Sequence, residues 1–315
     1  MSTYLGIDIG GTNIVYGIVD DDNGLKYQSS VKTKNMDTPA MLAETIYQDI
    51  KTNFRGNING IGIGAPSVNC DLQQIEFAPN LNKWGDIIPL GNIFESKFSQ
   101  PTYLVNDANA AAIGEKHFGD AQQSENFAVI TLGTGVGMGI YINGKLYTGD
   151  HAMAGEIGHL IVHRDGRECK CGNNGCLEAY AGKKGIIRTA KEKLEFSSGG
   201  SLLHALSPST LTPLEIFKAA KKDDPVSLEV VDSVAHDLGY ALGALANLFD
   251  FENIYLTGGI AKSGNFLRKR IEKYLRLYTL PNIRDKVKLK NSEINEKHGA
   301  VLGAVAAVKN HLVNS

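Results

Sequence analysis

Short apolar runs separated by glycines mark the start of the chain and recur near its middle. Residues 4–12 and 15–20 predict two strands joined by a glycine turn. Residues 127–132 and 136–142 repeat this order of strand, glycine turn and strand. The repetition indicates that the chain contains two similar halves, which we expect to face each other.

Two further apolar runs, residues 61–65 and 102–105, predict strands. The second run leads directly into Asn106 and Asp107, which also open an alanine-rich stretch. That stretch predicts a helix ending at Gly119, which we take as the domain boundary. Because ligand-binding groups in α/β proteins commonly sit where strands end, we expect functional residues at this edge of the sheet.

Helical patterns occur in both halves. Thr38 and Pro39 predict a helix start, and apolar residues recur every four positions on one face of that helix, at Leu42, Ile46 and Ile50. The second half predicts a strand over residues 253–257 and helices over residues 178–195, 226–249 and 299–312. This alternation of strands and helices is typical of an α/β fold.

Length and composition indicate a globular protein of about two domains. The chain has 315 residues, 43% hydrophobic and 21% charged, and domains average about 150 residues. Its 32 Lys and Arg residues and 34 Asp and Glu residues give a formal net charge of −2, with no block of one sign to follow a phosphate backbone. No apolar stretch approaches the ~20 residues of a membrane span, and the polar start does not form a secretory signal. We expect a cytoplasmic protein without nucleic-acid or membrane partners.

Two glycine turns have the composition of a phosphate-binding site. The first follows a strand and contains Asp8, Gly10, Gly11 and Thr12. Consecutive glycines let backbone N–H groups approach a polyphosphate, a threonine hydroxyl can donate a hydrogen bond, and a carboxylate can hold hydrated Mg²⁺. The second turn repeats the composition at Gly133, Thr134 and Gly135. One such turn alone is more often an ordinary tight hairpin, but two of them favour nucleotide binding.

Asn106 and Asp107 fit two roles. Asn and Asp are frequent helix caps, and the following helix needs one. A carboxylate at the end of a strand can also accept the proton of an attacking hydroxyl during phosphoryl transfer. The two roles are compatible, and the sequence leaves both open.

One imidazole and three thiols occur within eighteen residues, at His159, Cys169, Cys171 and Cys176. This is the ligand set of a closed tetrahedral zinc site, which has a structural role because it leaves no open position. Three reduced thiols in a loop are the alternative. Glu156 and Glu178 flank the cluster, and each can be either an exposed surface residue or an acceptor for the hydroxyls of a polyhydroxylated ligand.

Together these segments resemble ROK-family sugar kinases over nearly the whole chain. The resemblance rests on residues 8–12, Asn106-Asp107, residues 132–137, Gly155-Glu156-Ile157-Gly158-His159, the cysteine cluster with Leu177-Glu178, and Thr257-Gly258-Gly259. One segment departs from the family pattern. Where members often carry Ser-Gly after Glu178-Ala179-Tyr180-Ala181, this chain has Gly182-Lys183-Lys184.

The resemblance implies an actin-like, ribonuclease H-like ATPase fold with two α/β domains around a cleft. The first domain would span residues 1–118 and be rejoined by the helix over residues 299–312. The second would span residues 119–298 and carry the zinc site. The family's repressors have a DNA-binding segment ahead of the first glycine turn, which begins within ten residues of Met1 here, so we expect no such segment.

The resemblance also assigns roles to residues. Asp107 would be the catalytic base, and the sugar would bind Asn80, Asn106, Asp107, Glu156, His159 and Glu178. ATP and Mg²⁺ would bind the two glycine turns at Asp8, Gly10, Gly11, Thr12, Gly133, Thr134 and Gly135, with Gly258 and Gly259 near the adenosine. In the family the histidine of this motif is a zinc ligand whose loop also reaches the sugar, so His159 would serve both tasks.

The expected activity is ATP-dependent phosphorylation of the 6-hydroxyl of glucose by a homo-oligomer, a dimer or a tetramer. An N-acetylmannosamine or N-acetylglucosamine kinase is the nearest alternative. A non-catalytic sugar sensor on a kinase scaffold is an alternative of another class, and a filament-forming relative of actin is a third.

Overall fold

The computed structural model describes residues 2–22, 24–78, 81–197, 199–207, 209–294 and 296–314. Two compact units make up the chain. The first comprises Met1–Ser124, Lys145–Ala154 and Glu293–Ser315, and the second comprises Glu125–Gly144 and Gly155–Ser292. The domain boundaries expected from the sequence, at residues 118 and 298, stay a prediction.

Strands and helices alternate along the chain. The strands found in the described ranges are β1 (Thr3–Ile9), β2 (Asn13–Asp20), β3 (Leu25–Lys32), β4 (Ile61–Ala65), β5 (Val68–Asn69), β6 (Gln74–Glu76), β7 (Ile87–Ile88), β8 (Thr102–Asn106), β9 (Phe127–Leu132), β10 (Val136–Ile142), β11 (Lys145–Leu146), β12 (Asn253–Thr257) and β13 (Lys288–Asn291). The helices there are α1 (Pro39–Asn53), α2 (Leu90–Phe98), α3 (Asp107–Phe118), α4 (Glu178–Ala181), α5 (Lys183–Glu195), α6 (Pro213–Ala220), α7 (Pro225–Phe249), α8 (Asn265–Tyr278) and α9 (Glu296–Asn314). The predicted strands over residues 61–65, 127–132, 136–142 and 253–257 are confirmed with their bounds.

The sheet of the first unit has the strand order β3-β2-β1-β4-β8. Strands β1, β2 and β3 are antiparallel neighbours, whereas β1, β4 and β8 run parallel. Successive side chains of a strand point to opposite faces. In β1 the alternate residues Leu5, Ile7 and Ile9 are fully buried, and they belong to a core cluster with Leu42 and Ile46 of α1. This face of the sheet therefore forms the main core of the unit.

Helix α9 packs against β1 and β4. Gly62 of β4 permits this close approach, because a Cβ at this position would overlap the carbonyl oxygen of Ala304. Val301 and Val305 of α9 are fully buried in a cluster with Val19 of β2. The last helix of the chain thus completes the core of the first unit.

The second unit repeats the sheet pattern of the first. Its strands lie in the order β10-β9-β12-β13. Strands β9 and β10 form an antiparallel hairpin with a glycine turn, and β12 is parallel to both β9 and β13. The interpretation that the chain contains two similar halves is confirmed at the level of these sheets. The apolar residues of the second sheet form one core cluster with α7.

The helix predicted over residues 178–195 is wrong as a single element. It is divided at Gly182 into α4 and α5. The N–H group of Lys183 donates to the carbonyl oxygen of Gly133, at 3.1 Å, instead of to a carbonyl within a continuous helix. Packing of Gly182 and Lys183 against the second glycine turn therefore interrupts the helix.

The start predicted for α1 is confirmed, since the Thr38 hydroxyl accepts a hydrogen bond from the N–H of Met41 at 3.1 Å.

Candidate functional site

The predicted residues of the first unit lie at one edge of its sheet. In the parallel register, Asp8 of β1 pairs with Gly64, and Ala65 of β4 pairs with Asn106. The carboxyl ends of these strands therefore meet at the same edge. Asp8 and Asn106 are two strands apart, which corresponds to roughly 10 Å between their backbones. The structure thus brings Asp8, the first glycine turn and Asp107 to the same region.

Thr33 holds the first glycine turn. Its hydroxyl donates to the carbonyl oxygen of Gly10 at 2.6 Å, and its N–H donates to the carbonyl oxygen of Thr12 at 3.1 Å. Thr33 is only 3% exposed, whereas Gly11 and Thr12 are exposed. The turn is therefore fixed from its buried side and presents its polar groups outward. The sequence gives no signal for the role of Thr33, because no local pattern links it to a turn twenty residues earlier.

Asn106 is the cap of α3. Its Oδ1 atom accepts hydrogen bonds from the N–H groups of Ala108, at 2.9 Å, and Asn109, at 3.3 Å. Asp107 is the first residue of the helix and has an exposed side chain, and its Oδ1 accepts from the N–H of Ala108 at 2.8 Å. The capping role is confirmed.

The predicted nucleotide residues of the second unit lie together at the corresponding edge of its sheet. Strands β9 and β12 are parallel, and Thr131 pairs with Thr257. The two glycine segments follow these residues, and the N–H of Ile260 donates to the carbonyl oxygen of Leu132 at 3.0 Å. The second turn is closed by a 3.0 Å hydrogen bond from the N–H of Gly133 to the carbonyl of Gly135. Its middle residue, Thr134, is exposed.

His159, Cys169, Cys171 and Cys176 form a compact cluster, and their potential ligand atoms all lie within 4.8 Å of one another. The Cys171 and Cys176 sulfurs are 3.6 Å apart, and the Cys169 sulfur is 3.7 Å from Nδ1 of His159. A tetrahedral Zn²⁺ with bonds of ~2.3 Å to sulfur separates its thiolates by about 3.8 Å. The donor set and its spacing therefore fit zinc.

The three thiols differ in acidity. Burial raises the pKa of Cys169 and of Cys176. Burial acts in the same direction on Cys171, but hydrogen bonds from the N–H of Asn173 and from the neighbouring thiols lower its pKa to about 7. A thiol must lose its proton to bind a metal, so zinc binding would displace protons chiefly from the two buried cysteines.

The two nitrogens of His159 face different groups. Nδ1 lies with the thiols, and Nε2 is 3.8 Å from a carboxylate oxygen of Glu156. A histidine that binds a metal through one nitrogen carries its proton on the other. His159 would therefore present an N–H donor beside an acceptor carboxylate, which is a suitable pair for a sugar hydroxyl. Glu178 has a different environment, because its Oε2 accepts a 3.1 Å hydrogen bond from the N–H of Val136 in β10.

Polar contacts anchor the segment between His159 and Cys176 to the helices. Nε2 of His163 is 3.0 Å from Oδ1 of Asp237, which lies on α7 and is 3% exposed. The N–H of Arg167 donates to the Tyr180 hydroxyl at 2.8 Å, and its guanidinium donates to the carbonyl of Ala179 at 3.2 Å. No sequence pattern indicates these anchors, since they join residues that are 12 to 74 positions apart in the chain.

Asn80, a predicted sugar ligand, lies outside the described residues. No helix in the described part of the chain combines the length and the apolar character that a membrane span requires.

Comparisons with known proteins place these features in a family. The profile of the ROK family matches residues 4–311. A glucokinase of Halalkalibacterium halodurans is 34% identical over 309 residues, covering 95% of this chain and 93% of the relative. A xylose repressor of Bacillus spizizenii is 28% identical over 316 residues, covering 98% of this chain and 78% of the repressor.

A solved structure resembles the chain along its length. The crystal structure of a ROK family glucokinase from Streptomyces griseus, in complex with glucose and AMPPNP, is 31% identical and has a TM-score of 0.85. The match covers 98% of this chain and 100% of that chain. It confirms the actin-like, ribonuclease H-like ATPase fold that the sequence resemblance implied. Since the family profile and the full-length relatives both span nearly all residues, the chain belongs to the ROK family.

Proposed function

We propose that this chain is an ATP-dependent hexose kinase that transfers the terminal phosphoryl group of ATP to the 6-hydroxyl of glucose. The observation that carries the proposal is the position of Asp107. Its exposed carboxylate opens α3 at the same sheet edge as Asp8 and the first glycine turn. The similarity to a glucokinase and to a structure with bound glucose and AMPPNP supports this substrate and this phosphoryl donor.

Several polar side chains would bind the sugar. Asn106 uses its carbonyl oxygen as a helix cap, so its amide NH₂ is the group that would donate to a hydroxyl. Glu156 and Glu178 would accept hydrogen bonds from hydroxyls, and His159 would donate one from Nε2. We also propose Asn80 and Asp107 as sugar ligands. A polyhydroxylated ligand needs such a mixture of donors and acceptors, because each hydroxyl can do both.

The glycine turns would bind ATP. Gly10, Gly11 and Thr12 present exposed or half-buried backbone groups in the first turn, and Gly133, Thr134 and Gly135 do so in the second. Gly258 and Gly259 would lie near the adenosine. Mg²⁺, when bound, neutralises charge on the phosphates, and Asp8 is the carboxylate that would hold the hydrated ion.

Asp107 would act on the attacking hydroxyl. As the bond from the sugar oxygen to phosphorus forms and the bond from phosphorus to the leaving ADP oxygen breaks, the hydroxyl proton passes to the Asp107 carboxylate. Phosphoryl transfer has a loose transition state, so the main contributions are orientation of the hydroxyl and late acceptance of its proton. The hydrogen bond from the N–H of Ala108 fixes the carboxylate for this task.

We propose a structural zinc ion held by His159, Cys169, Cys171 and Cys176. Four protein ligands leave no open position for catalysis. The ion would instead fix the position of His159 and of Glu178, which follows Cys176 by two residues.

The described cysteines are all free thiols, a state that suits a reducing compartment, and we propose a cytoplasmic location. We also propose a homo-oligomer, which sedimentation analysis would test.

A coupled assay of ADP production tests the activity. Glucose, mannose, fructose, N-acetylmannosamine and N-acetylglucosamine would be compared at equal concentration, and we expect glucose to have the highest kcat/KM. A higher value for an N-acetyl hexosamine would reassign the substrate.

A non-catalytic sugar sensor is the second candidate, which the similarity to a xylose repressor favours. Sugar binding without ADP production would support the sensor.

A further inference from the structure

A short segment of the second unit connects three parts of the proposed site. Residue Cys176 belongs to the metal cluster, Glu178 is a proposed sugar ligand, and the N–H of Lys183 donates to Gly133 in the second glycine turn. Only six residues, 177–182, lie between Cys176 and Lys183. The second turn is therefore not an isolated hairpin, and its backbone is tied to the segment that would bind metal and sugar.

The carboxylate of Glu178 makes the closest of these connections. Its Oε2 accepts the hydrogen bond from the N–H of Val136, at 3.1 Å. The same carboxylate occupies the space beside the Cα of Gly135. A Cβ at position 135 would overlap Oε2 and would lie 3.0 Å from the Cδ atom of Glu178. Val136 is 5% exposed, so this hydrogen bond lies at a buried backbone position where water is a poor substitute.

A side chain at position 135 would displace the Glu178 carboxylate, whether or not phosphate is bound. In a phosphate-binding turn, glycine is usually explained by the close approach of the ligand to the backbone. At Gly133 a Cβ would meet nothing within 4 Å, whereas at Gly135 it would meet Glu178. The two glycines of this turn therefore differ, and the constraint at Gly135 comes from a protein carboxylate.

We propose that Glu178 is a positioning residue for the second nucleotide-binding turn. The carboxylate holds the backbone of Gly135 and Val136 in the conformation that receives ATP. This inference rests on the proposed function, because it assumes that the turn binds a nucleotide. It adds that a side chain assigned to the sugar also determines affinity for ATP when no sugar is present.

A double-mutant cycle tests the inference. Binding of AMPPNP with Mg²⁺, without sugar, would be measured by calorimetry for the wild-type chain, Gly135→Ala, Glu178→Ala and the double variant. Loss of a hydrogen bond to a charged acceptor is expected to weaken binding about tenfold in Glu178→Ala. Gly135→Ala should weaken it at least as much, because its methyl group displaces the carboxylate. The double variant should bind like Glu178→Ala, since the methyl group then meets no carboxylate.

Glu178→Gln is the matched control. Its amide oxygen can still accept the hydrogen bond from Val136, so AMPPNP affinity should stay within about twofold of wild type while sugar affinity falls. If Glu178→Ala does not fold, Glu178→Asp replaces it, because the shorter side chain withdraws the carboxylate from Val136 and should cause a similar loss. Zinc content and the midpoint of thermal unfolding would be recorded for every variant.

The outcomes are distinguishable. Additive losses in the cycle would mean that the Gly135 methyl group obstructs the phosphates themselves, and the inference would be overturned while the proposed function stands. Unchanged nucleotide affinity in Glu178→Ala would overturn it equally. If the wild-type chain does not bind AMPPNP, the proposed function fails and the inference fails with it.

Discussion

The hydroxyl of Thr33 donates a 2.6 Å hydrogen bond to the carbonyl oxygen of Gly10. Thr33 follows β3, and Gly10 begins the turn between β1 and β2. A buried side chain that directly follows the third strand therefore fixes the turn between the first two strands. This relationship has a direct consequence for nucleotide binding.

Replacement of Thr33 by Val should weaken ATP binding. The isosteric side chain leaves the Gly10 carbonyl without its donor, which costs about 1 kcal/mol and corresponds to about a fivefold rise in the KM for ATP. The KM for glucose should change little. Steady-state kinetics with each substrate varied in turn measure both constants. Thr33→Ser, which keeps the hydroxyl, is the control, and an equal rise in that variant would contradict the explanation.

Replacement of Asp107 by Ala should abolish most phosphoryl transfer. Loss of a general base lowers kcat by at least about 100-fold. The fold should persist, because Asn106 supplies the main cap of α3, and the circular dichroism spectrum should match that of wild type. The coupled ADP assay measures kcat. Sugar phosphorylation near the wild-type rate would refute the assignment of the base.

Replacement of Cys171 by Ser should release zinc. The remaining three ligands no longer complete a tetrahedral site, so the bound metal per chain should fall and glucose affinity should decrease through disorder of the segment that carries His159. Metal analysis and glucose calorimetry measure the two effects. Cys70→Ser is the matched control, because the metal cluster does not include Cys70. Unchanged zinc in Cys171→Ser would count against the site.

Asp224 should stabilise the second unit in a pH-dependent manner. Burial opposes its ionisation, but hydrogen bonds from Ser227, from the N–H of Leu202 and from the Ser201 hydroxyl hold the pKa of Asp224 below its usual value. A lowered pKa in the folded state means that the stabilisation is present above the pKa of the unfolded chain. It is lost as the pH falls through the folded pKa.

Asp224 is the N-cap of α7, so Asp224→Ala should lower the free energy of unfolding at pH 7 by about 1–2 kcal/mol, as expected for a lost helix cap. The difference from wild type should shrink below about pH 4. Urea unfolding at pH 7 and at low pH gives both values. Glu229→Ala serves as the control, because its ion pair with Lys193 is exposed and should contribute less than about 1 kcal/mol. A pH-independent loss in Asp224→Ala would contradict this account.

Features encoded by neighbouring residues could be predicted from the sequence. The strand over residues 61–65 is an uninterrupted apolar run, and it was predicted with its bounds. The metal cluster draws its four members from residues 159–176, so their spacing alone indicated it. Strand β3 is not predicted by its sequence, because Leu25–Lys32 contains polar and charged residues in most positions. Its antiparallel hydrogen bonding to β2 makes this segment a strand in spite of that composition.

Features that depend on distant residues could not be predicted in this way. His163 and Asp237 are 74 residues apart in the chain, and nothing near either residue indicates the other. The break at Gly182 likewise depends on the turn at Gly133, about fifty residues earlier. The chemical groups of the candidate site are therefore recognisable from the sequence, whereas the residues that support them are identified only in the folded chain.

The packing of α9 on Gly62 constrains when the first unit can form during synthesis. The whole second unit lies in the chain between the first 124 residues and α9. A ribosome adds about 5–20 residues per second, so the β1 and β4 surface covered by α9 waits roughly ten seconds or more for its partner. All strands and helices of the second unit are synthesised before α9. The first unit, although most of it is synthesised first, is therefore the last to complete its fold.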